Sequence, residues 1–196
     1  MFKTSTRRTR IASVALAVVV GPGALLAGSG ATASTDGSAP SDSAARDAGK
    51  NLVLRPGAVG KAKVGMTIKQ AMKTGLFKRN GMCGPLRPKG KLNRQFGTFV
   101  HKGRLIGMKI HGRNIRTAQG IGLNTKLRKL RKEYGKRLSK PRQFNDGGWG
   151  VVVRKRQRYL GFLLGTRPKA RPKPTHKVVY MEVTRGRAPT LYPDGC

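Results

Sequence analysis

The chain has 196 residues and carries 42 Lys and Arg against 7 Asp and Glu, a formal charge of +35. That length admits one domain with a real core and excludes two large ones. So few carboxylates leave little material for acid–base chemistry, and a compact state this basic repels itself in a way that a bound polyanion relieves, so an anionic partner is expected.

Residues 1–33 read as a cleavable secretion signal. A basic start (Lys3, Arg7, Arg8, Arg10) runs into the apolar stretch Ile11 to Val20, Gly21-Pro22-Gly23 breaks any helix, and Ala31-Thr32-Ala33 supplies a small-x-small cleavage site. The apolar stretch is shorter than the ~18–20 residues of a membrane span, so no transmembrane segment is expected in the mature chain. No Cys stands at the cleavage site, which argues against a lipoprotein. Thr6-Arg7-Arg8 resembles a twin-arginine signal, but Arg10 replaces the apolar residue expected there. Cleavage leaves 163 residues with 38 basic and 7 acidic side chains, a net +31, in a protein expected to be secreted into an extracellular, oxidising setting. Residues 34–49, rich in Ser, Ala, Asp and Gly, read as a flexible leader. Residues 50–196 read as a single α+β domain made of two units, about 50–116 and 117–196.

The chain has two cysteines, Cys83 and Cys196, and in an oxidising compartment an even count favours a disulfide between them. Closing a loop of that length would add roughly 4–5 kcal/mol of stability by restricting the unfolded chain.

In the domain, Val64-Gly65-Met66-Thr67 leads into Ile68-Lys69-Gln70-Ala71-Met72-Lys73. Thr67 stands at the N-cap, Ile68, Ala71 and Met72 share a face, and Gly75 ends the helix. Gln95–Val100 and Arg104–His111 alternate apolar and polar residues around His101-Lys102-Gly103, a hairpin pattern. A second helix is expected after Gly120-Ile121-Gly122-Leu123-Asn124-Thr125, with Leu127, Leu130 and Tyr134 on one face and Gly135 past its end. Three β-rich runs follow, at Trp149–Val153, Tyr159–Leu164 and Lys177–Thr184. The first two are linked by Arg154-Lys155-Arg156-Gln157 and the last two by the Pro-rich stretch Thr166–His176. A helix then antiparallel strands, twice over, predicts helices packed on one face of a meandering sheet.

This doubled pattern, Gly65-Met66-Thr67 opening one helix and Gly120 to Thr125 with Tyr134-Gly135 framing the other, resembles a family of small bacterial secreted proteins of unassigned function. Their units are similar to those of the β-lactamase inhibitor protein and of the outer-membrane assembly lipoproteins of the SmpA/OmlA type. The resemblance spans about Leu52 to Val183 and implies tandem helix-plus-sheet units with a binding, non-catalytic role. The chain departs from it in lacking the lipoprotein Cys and in the basicity of its sheet, so β-lactamase inhibition itself does not carry over.

Enzyme chemistry lacks its parts. Beyond the leader, Glu133, Asp146, Glu182 and Asp194 are scattered, without the pairing that two-carboxylate catalysis needs. Ser139 has no Gly-x-Ser-x-Gly elbow around it. Gly84 to Gly90-Lys91-Leu92 has one spacer residue too many for a phosphate loop and Leu where Ser or Thr belongs. His101, His111 and His176 show no metal-ligand spacing, so neither a metal nor another cofactor is expected. The amides of the Gly120–Thr125 turn followed by Lys126 could in principle hold an anion, but a plain capped helix start explains the same residues.

The basic clusters carry the functional signal. Lys126, Arg128, Lys129, Arg131 and Lys132, followed by Lys136 and Arg137, surround the apolar stripe of the second helix. Arg154, Lys155, Arg156 and Arg158 crowd one hairpin turn, and Arg167, Lys169, Arg171 and Lys173 alternate through the Pro-rich loop. No motif for sequence-specific nucleic-acid binding is present, so non-specific contacts to phosphate-type groups are what these clusters suit. The expected function is that of a secreted, non-enzymatic cationic binding protein acting on an anionic polymer, a membrane surface or an acidic protein. The alternative is an inhibitor-type protein that clamps an extracellular enzyme through a sheet face bearing Trp149, Tyr159 and Phe162.

Overall fold

The computed structural model describes residues 52–79, 84–144, 147–167 and 170–193. The expected secretion signal and leader, and both Cys83 and Cys196, lie outside the described residues, as do Asp146, Asp194 and Lys169. None of the helices among the described residues is long and apolar enough to cross a membrane.

The fold is α+β and mostly sheet. Its centre is a six-stranded antiparallel sheet built from β6 (Phe96–His101), β7 (Arg104–Ile110), β9 (Arg142–Gln143), β10 (Trp149–Lys155), β11 (Arg158–Leu164) and β12 (Val178–Arg185). The spatial order is β6-β7-β12-β11-β10-β9, so the strands that follow the two helices join in one sheet. A four-stranded sheet of short elements, ordered β3-β2-β1-β8, holds β1 (Val53–Arg55), β2 (Ala58–Val59), β3 (Ala62–Lys63) and β8 (Arg116–Thr117). β4 (Phe77–Lys78) and β5 (Arg87–Pro88) form a separate pair.

Local rules account for much of this. The hairpin joining β6 to β7 turns on Lys102 (φ 46) and Gly103 (φ 69), and two consecutive positive φ values match the right-handed twist of the strands. Helix α1 (Ile68–Lys73) has a reciprocal cap. The Gln70 amide donates to Thr67 Oγ1 at 3.2 Å, and the Thr67 amide donates to Gln70 Oε1 at 2.9 Å.

Helix α2 (Leu127–Tyr134) begins differently from expectation. Its N-cap is Lys126, with no side-chain cap, and Thr125 instead accepts a 3.0 Å bond from the Gly122 amide. The first amides of the helix are satisfied by the Pro-rich loop, Leu127 donating to His176 O at 2.8 Å and Arg128 to Pro174 O at 2.9 Å. Donors that a local side chain would normally satisfy are here met by carbonyls more than forty residues away, a tertiary solution to the same accounting.

Alternation divides the large sheet into two faces. Met108 and Ile110, Val151 and Val153, Leu160 and Phe162, and Met181 and Val183 share one face, in the register Ile110–Met181–Phe162–Val151. They are buried in one cluster with Ala71 of α1 and with Leu127, Leu130 and Tyr134 of α2. Tyr134 meets Phe162 ring to ring, with centroids 6.0 Å apart. Burying each such side chain stabilises by about 1.5–3 kcal/mol.

The opposite face is covered by the chain's own C-terminal segment. Gly150, Gly161, Tyr180, Glu182 and Lys109 lie on this side, with Glu182 directly opposite Gly161 on one neighbour and Lys109 on the other. A Cβ on Gly161 would sit 2.8 Å from Leu191 Cδ2 and 2.9 Å from Pro189, so residues 189–191 occupy the space the glycines leave open. Glu182, only 1% exposed, accepts bonds from the Leu191 amide (2.8 Å) and the Thr190 hydroxyl (3.2 Å) through one carboxylate oxygen. Leu191, at φ 53, is itself 1% exposed. Lys109 lies over the Phe99 ring (4.8 Å) and donates to Pro193 O at 3.4 Å.

Tyr180 is buried on this face and its hydroxyl has no hydrogen-bond partner among the described residues. Burial, and secondarily the nearby Glu182 carboxylate, push its ionisation well above the usual value of 10.0. Tyr134 is shifted in the same direction, chiefly by burial. Raised folded values mean that the unfolded chain releases these protons first. Stability is therefore fully present below about pH 10 and falls as pH rises beyond it. Tyr180→Phe removes an unpaired hydroxyl without changing shape, so it should be close to neutral at pH 7 and should retain more stability than the parent above pH 10. Denaturant unfolding at the two pH values checks this, and an unchanged alkaline loss would rule Tyr180 out as its source.

Candidate functional site

The eleven basic residues singled out from the sequence, Lys126, Arg128, Lys129, Arg131, Lys132, Lys136, Arg137, Arg154, Lys155, Arg156 and Arg158, are all exposed. Their grouping differs from their order in the chain. The α2 cations Arg128, Lys129 and Lys132 border a surface hollow together with Glu133. Glu133 and the buried Glu182 are the only carboxylate side chains among the described residues.

The end of α2 and the β10–β11 hairpin come together through the backbone. After α2 and a short 3-10 turn at Gly135–Arg137, Leu138 bridges to Val153, the Ser139 amide donates to Val152 O at 2.9 Å, and the Val152 amide donates to Ser139 Oγ at 3.0 Å. Ser139 is thus a structural fastener. Stitching this segment to β10 brings Lys136 and Arg137 next to Arg154 and Lys155.

Two clefts result, and among the described residues no carboxylate lines either. One, of about 360 Å³, is bordered by Arg55, Thr117, Tyr134, Arg137, Arg154 and Lys155. The other, of about 300 Å³, is bordered by Lys136, Arg137, Ser139, Arg142, Arg154 and Tyr159. Arg137 and Arg154 belong to both. Their guanidinium groups are braced by aromatic rings, Arg137 over Tyr134 at 6.0 Å and Arg154 over its cross-strand neighbour Tyr159 at 5.6 Å. Arg154 Nε also donates to Arg156 O at 2.8 Å. Such bracing lowers the freedom a guanidinium loses on binding while leaving its other donors open.

Arg55 and Arg142 were not among the expected residues. Arg55 ends β1, which is docked by the Gly57 amide donating to Tyr159 O (3.1 Å), and Arg142 lies in β9 over the Phe144 ring (4.7 Å). Arg55 has no basic neighbour within four residues and Arg142 follows Lys140 and Pro141 beyond the α2 run, so their place in the chain does not assign either to the clefts.

The aromatic sheet face of the inhibitor alternative needs correction. Phe162 is fully buried beneath α2. Trp149 pairs with Leu164 and shares the Phe162 side of the sheet, whereas Tyr159 points to the opposite side beside Arg154. Strand alternation separates Tyr159 from the other two rings, and α2 and the C-terminal segment pack on the two faces.

The anion site imagined at the Gly120–Thr125 turn is likewise filled, because the amides of Leu127 and Arg128 are already bonded to the Pro-rich loop. His111 Nε2 contacts Asn93 O at 3.4 Å and His176 Nδ1 accepts from the Lys173 amide at 2.9 Å, so these two rings sit in different local networks. Among the described residues no three His, Cys, Asp or Glu side chains gather in a group that could hold a metal.

No protein-family model matches the chain, and no curated protein sequence matches it. Among solved structures it is similar to the uncharacterized protein yfeY from Escherichia coli, with 12% sequence identity and a TM-score of 0.43 over 69% of this chain and 97% of that one. A likeness that distant carries no functional argument.

Proposed function

We propose that this is a secreted, non-enzymatic binding protein whose cationic surface takes an extracellular anionic partner such as a wall polymer. The observation that carries the reading is the pair of clefts bordered by Arg55, Lys136, Arg137, Arg142, Arg154 and Lys155, with no acidic side chain among the described residues of their lining. Surface cations without compensating carboxylates gain most from an anion that displaces their counterions. On this reading the two halves of the domain are related units, each a Gly- and Thr-marked helix start followed by strands. The capped α1 with the β6–β7 hairpin, and α2 with β9 to β12, support that description.

The test is binding of long-chain polyphosphate to the full chain across a salt series. Replacing Lys136, Arg142 and Lys155, exposed cations that border the two clefts, by Gln should leave the fold intact, because their charged groups lie at the surface and the packing is done by residues such as Leu127, Leu130 and Tyr134. Affinity should fall, and the slope of log affinity against log salt should become shallower by roughly 0.7–0.9 for each phosphate no longer engaged, on the nucleic-acid scale. Wild-type protein that does not bind polyphosphate at low salt, or a variant with an unchanged slope, would overturn the reading.

A further inference from the structure

The two clefts meet where β10 runs past its last backbone pairing with the Leu138–Ser139 segment. Val153 and Tyr134 border the first cleft and belong to the helix-covered side of the sheet. Val152 and Tyr159 border the second and point to the opposite side. Arg137 and Arg154 stand between them, each contributing to both. Beyond this pair, Arg55 and Lys155 extend the positive lining on one side and Lys136 and Arg142 on the other.

The shape and donor set restrict the ligand. A planar carboxylate is best matched by one guanidinium binding edge-on with two parallel bonds. Two guanidinium groups that border the same two clefts from separate segments, with further cations on both sides, instead suit an oxyanion that offers acceptor oxygens in several directions and has charged neighbours on either side. A phosphate within a chain has that form. Tyr134 and Tyr159 each offer a ring face to one of the central arginines, a weak contact at an exposed site that lowers part of the ordering cost of binding.

We propose that the two clefts form one continuous site for a polymeric phosphate chain, with Arg137 and Arg154 gripping a central phosphate and the flanking phosphates lying along Arg55–Lys155 and Lys136–Arg142. This rests on the anionic-partner reading above and narrows it to one chemistry and one place. A wall polymer with phosphodiester links and free polyphosphate both supply that chemistry.

The experiment compares two double variants of the full chain that remove the same charge. Arg137→Gln/Arg154→Gln alters the shared pair, and Lys69→Gln/Lys73→Gln alters two exposed cations of α1 that border neither cleft. With long-chain polyphosphate, the cleft variant should lose roughly tenfold or more in affinity, the scale of one or two charged hydrogen bonds, and the α1 variant about twofold or less. Circular dichroism and melting of both variants establish that they are folded. Equal losses in the two variants would overturn the site while leaving general polyanion binding standing, whereas failure of the wild type to bind overturns both. Polyglutamate that binds as tightly with the same arginine dependence would overturn the phosphate assignment. Inorganic phosphate that competes as well, per phosphate, as the polymer would overturn the continuous chain site. Parallel titrations with phosphodiester wall polymer and with polyphosphate rank the two sources, and weak binding of both relative to polyglutamate would also count against the proposal.

Discussion

Phe162→Ala is expected to destabilise the protein by about 3–5 kcal/mol, the range for deleting a fully buried aromatic ring whose neighbours cannot close the gap. Phe162 lies at the centre of the six-stranded sheet, completely buried, with Val151 and Met181 as its cross-strand neighbours and the Tyr134 ring of α2 above it. Removing it also takes away the surface on which α2 rests, so the loss should appear in global unfolding by denaturant. The result bears on function as well. A Phe162 that served as an exposed contact for a partner enzyme would cost less than about 0.5 kcal/mol when truncated, as surface substitutions generally do. A small loss would therefore restore the inhibitor reading and contradict the packing described above.

Gly161→Val should cost about 1–3 kcal/mol through overpacking, and its more telling effect should be local. A Cβ at this position already meets Leu191 and Pro189 within 3 Å, and valine adds two more methyl groups to the same space. The β11 backbone is held on both sides by β10 and β12, so the C-terminal segment is the part that gives way. Amide exchange at Leu191 should accelerate, because its bond to Glu182 is lost, and residues 186–193 should become sensitive to protease. Exchange at Val183 and Leu160, deep in the sheet, should change far less. A Leu191 amide as protected in the variant as in the parent would show that the segment is not packed against the glycine. Because Ala188 borders the second cleft, displacement of the segment should also alter polyphosphate affinity there, which links this structural prediction to the proposed site.

Much of the fold was legible wherever neighbours in sequence settle the matter. The α1 start follows from Thr67 and Gln70, three residues apart, which satisfy each other's amides. The first long hairpin follows from alternation and the second from β-rich composition on each side of a short turn, and the observed strands Phe96–His101 with Arg104–Ile110, and Trp149–Lys155 with Arg158–Leu164, lie close to the expected runs. The Leu127/Leu130/Tyr134 stripe was read correctly as the buried side of α2 because 3.6-residue periodicity does not depend on what the helix packs against. The small N-terminal strands β1 to β3 were not foreseen. They are two or three residues long, too short for a period to show, and they form because β8 and the Tyr159 carbonyl of β11 supply partners from far along the chain.

The site divides along the same line. Composition by itself determined that the surface would be cationic and that an anionic partner was to be expected, because charge adds regardless of how the chain folds. Period two puts alternate residues of a strand on opposite faces, but β10 and β11 are buried on both sides and carry no polar–apolar alternation to read. That is why Tyr159 and Phe162, expected on one face, lie on opposite ones. Only the tertiary structure decided that Arg137 and Arg154 would stand together, since they are joined by the bridge between Leu138 and Val153, a pairing with no local sequence signature. Only the tertiary structure added Arg55 of β1, far from the other cations in sequence, and Arg142 of β9 to the lining. It also decided that Gly150 and Gly161 leave room for the chain's own C-terminal segment and not for a partner, and that Glu182, an acid inside an apolar strand, fastens that segment down. The physical reason is common to all of these. Periodicity, caps and net charge are sums over near neighbours or over the whole chain, whereas a cleft depends on which distant backbone groups satisfy one another's hydrogen bonds.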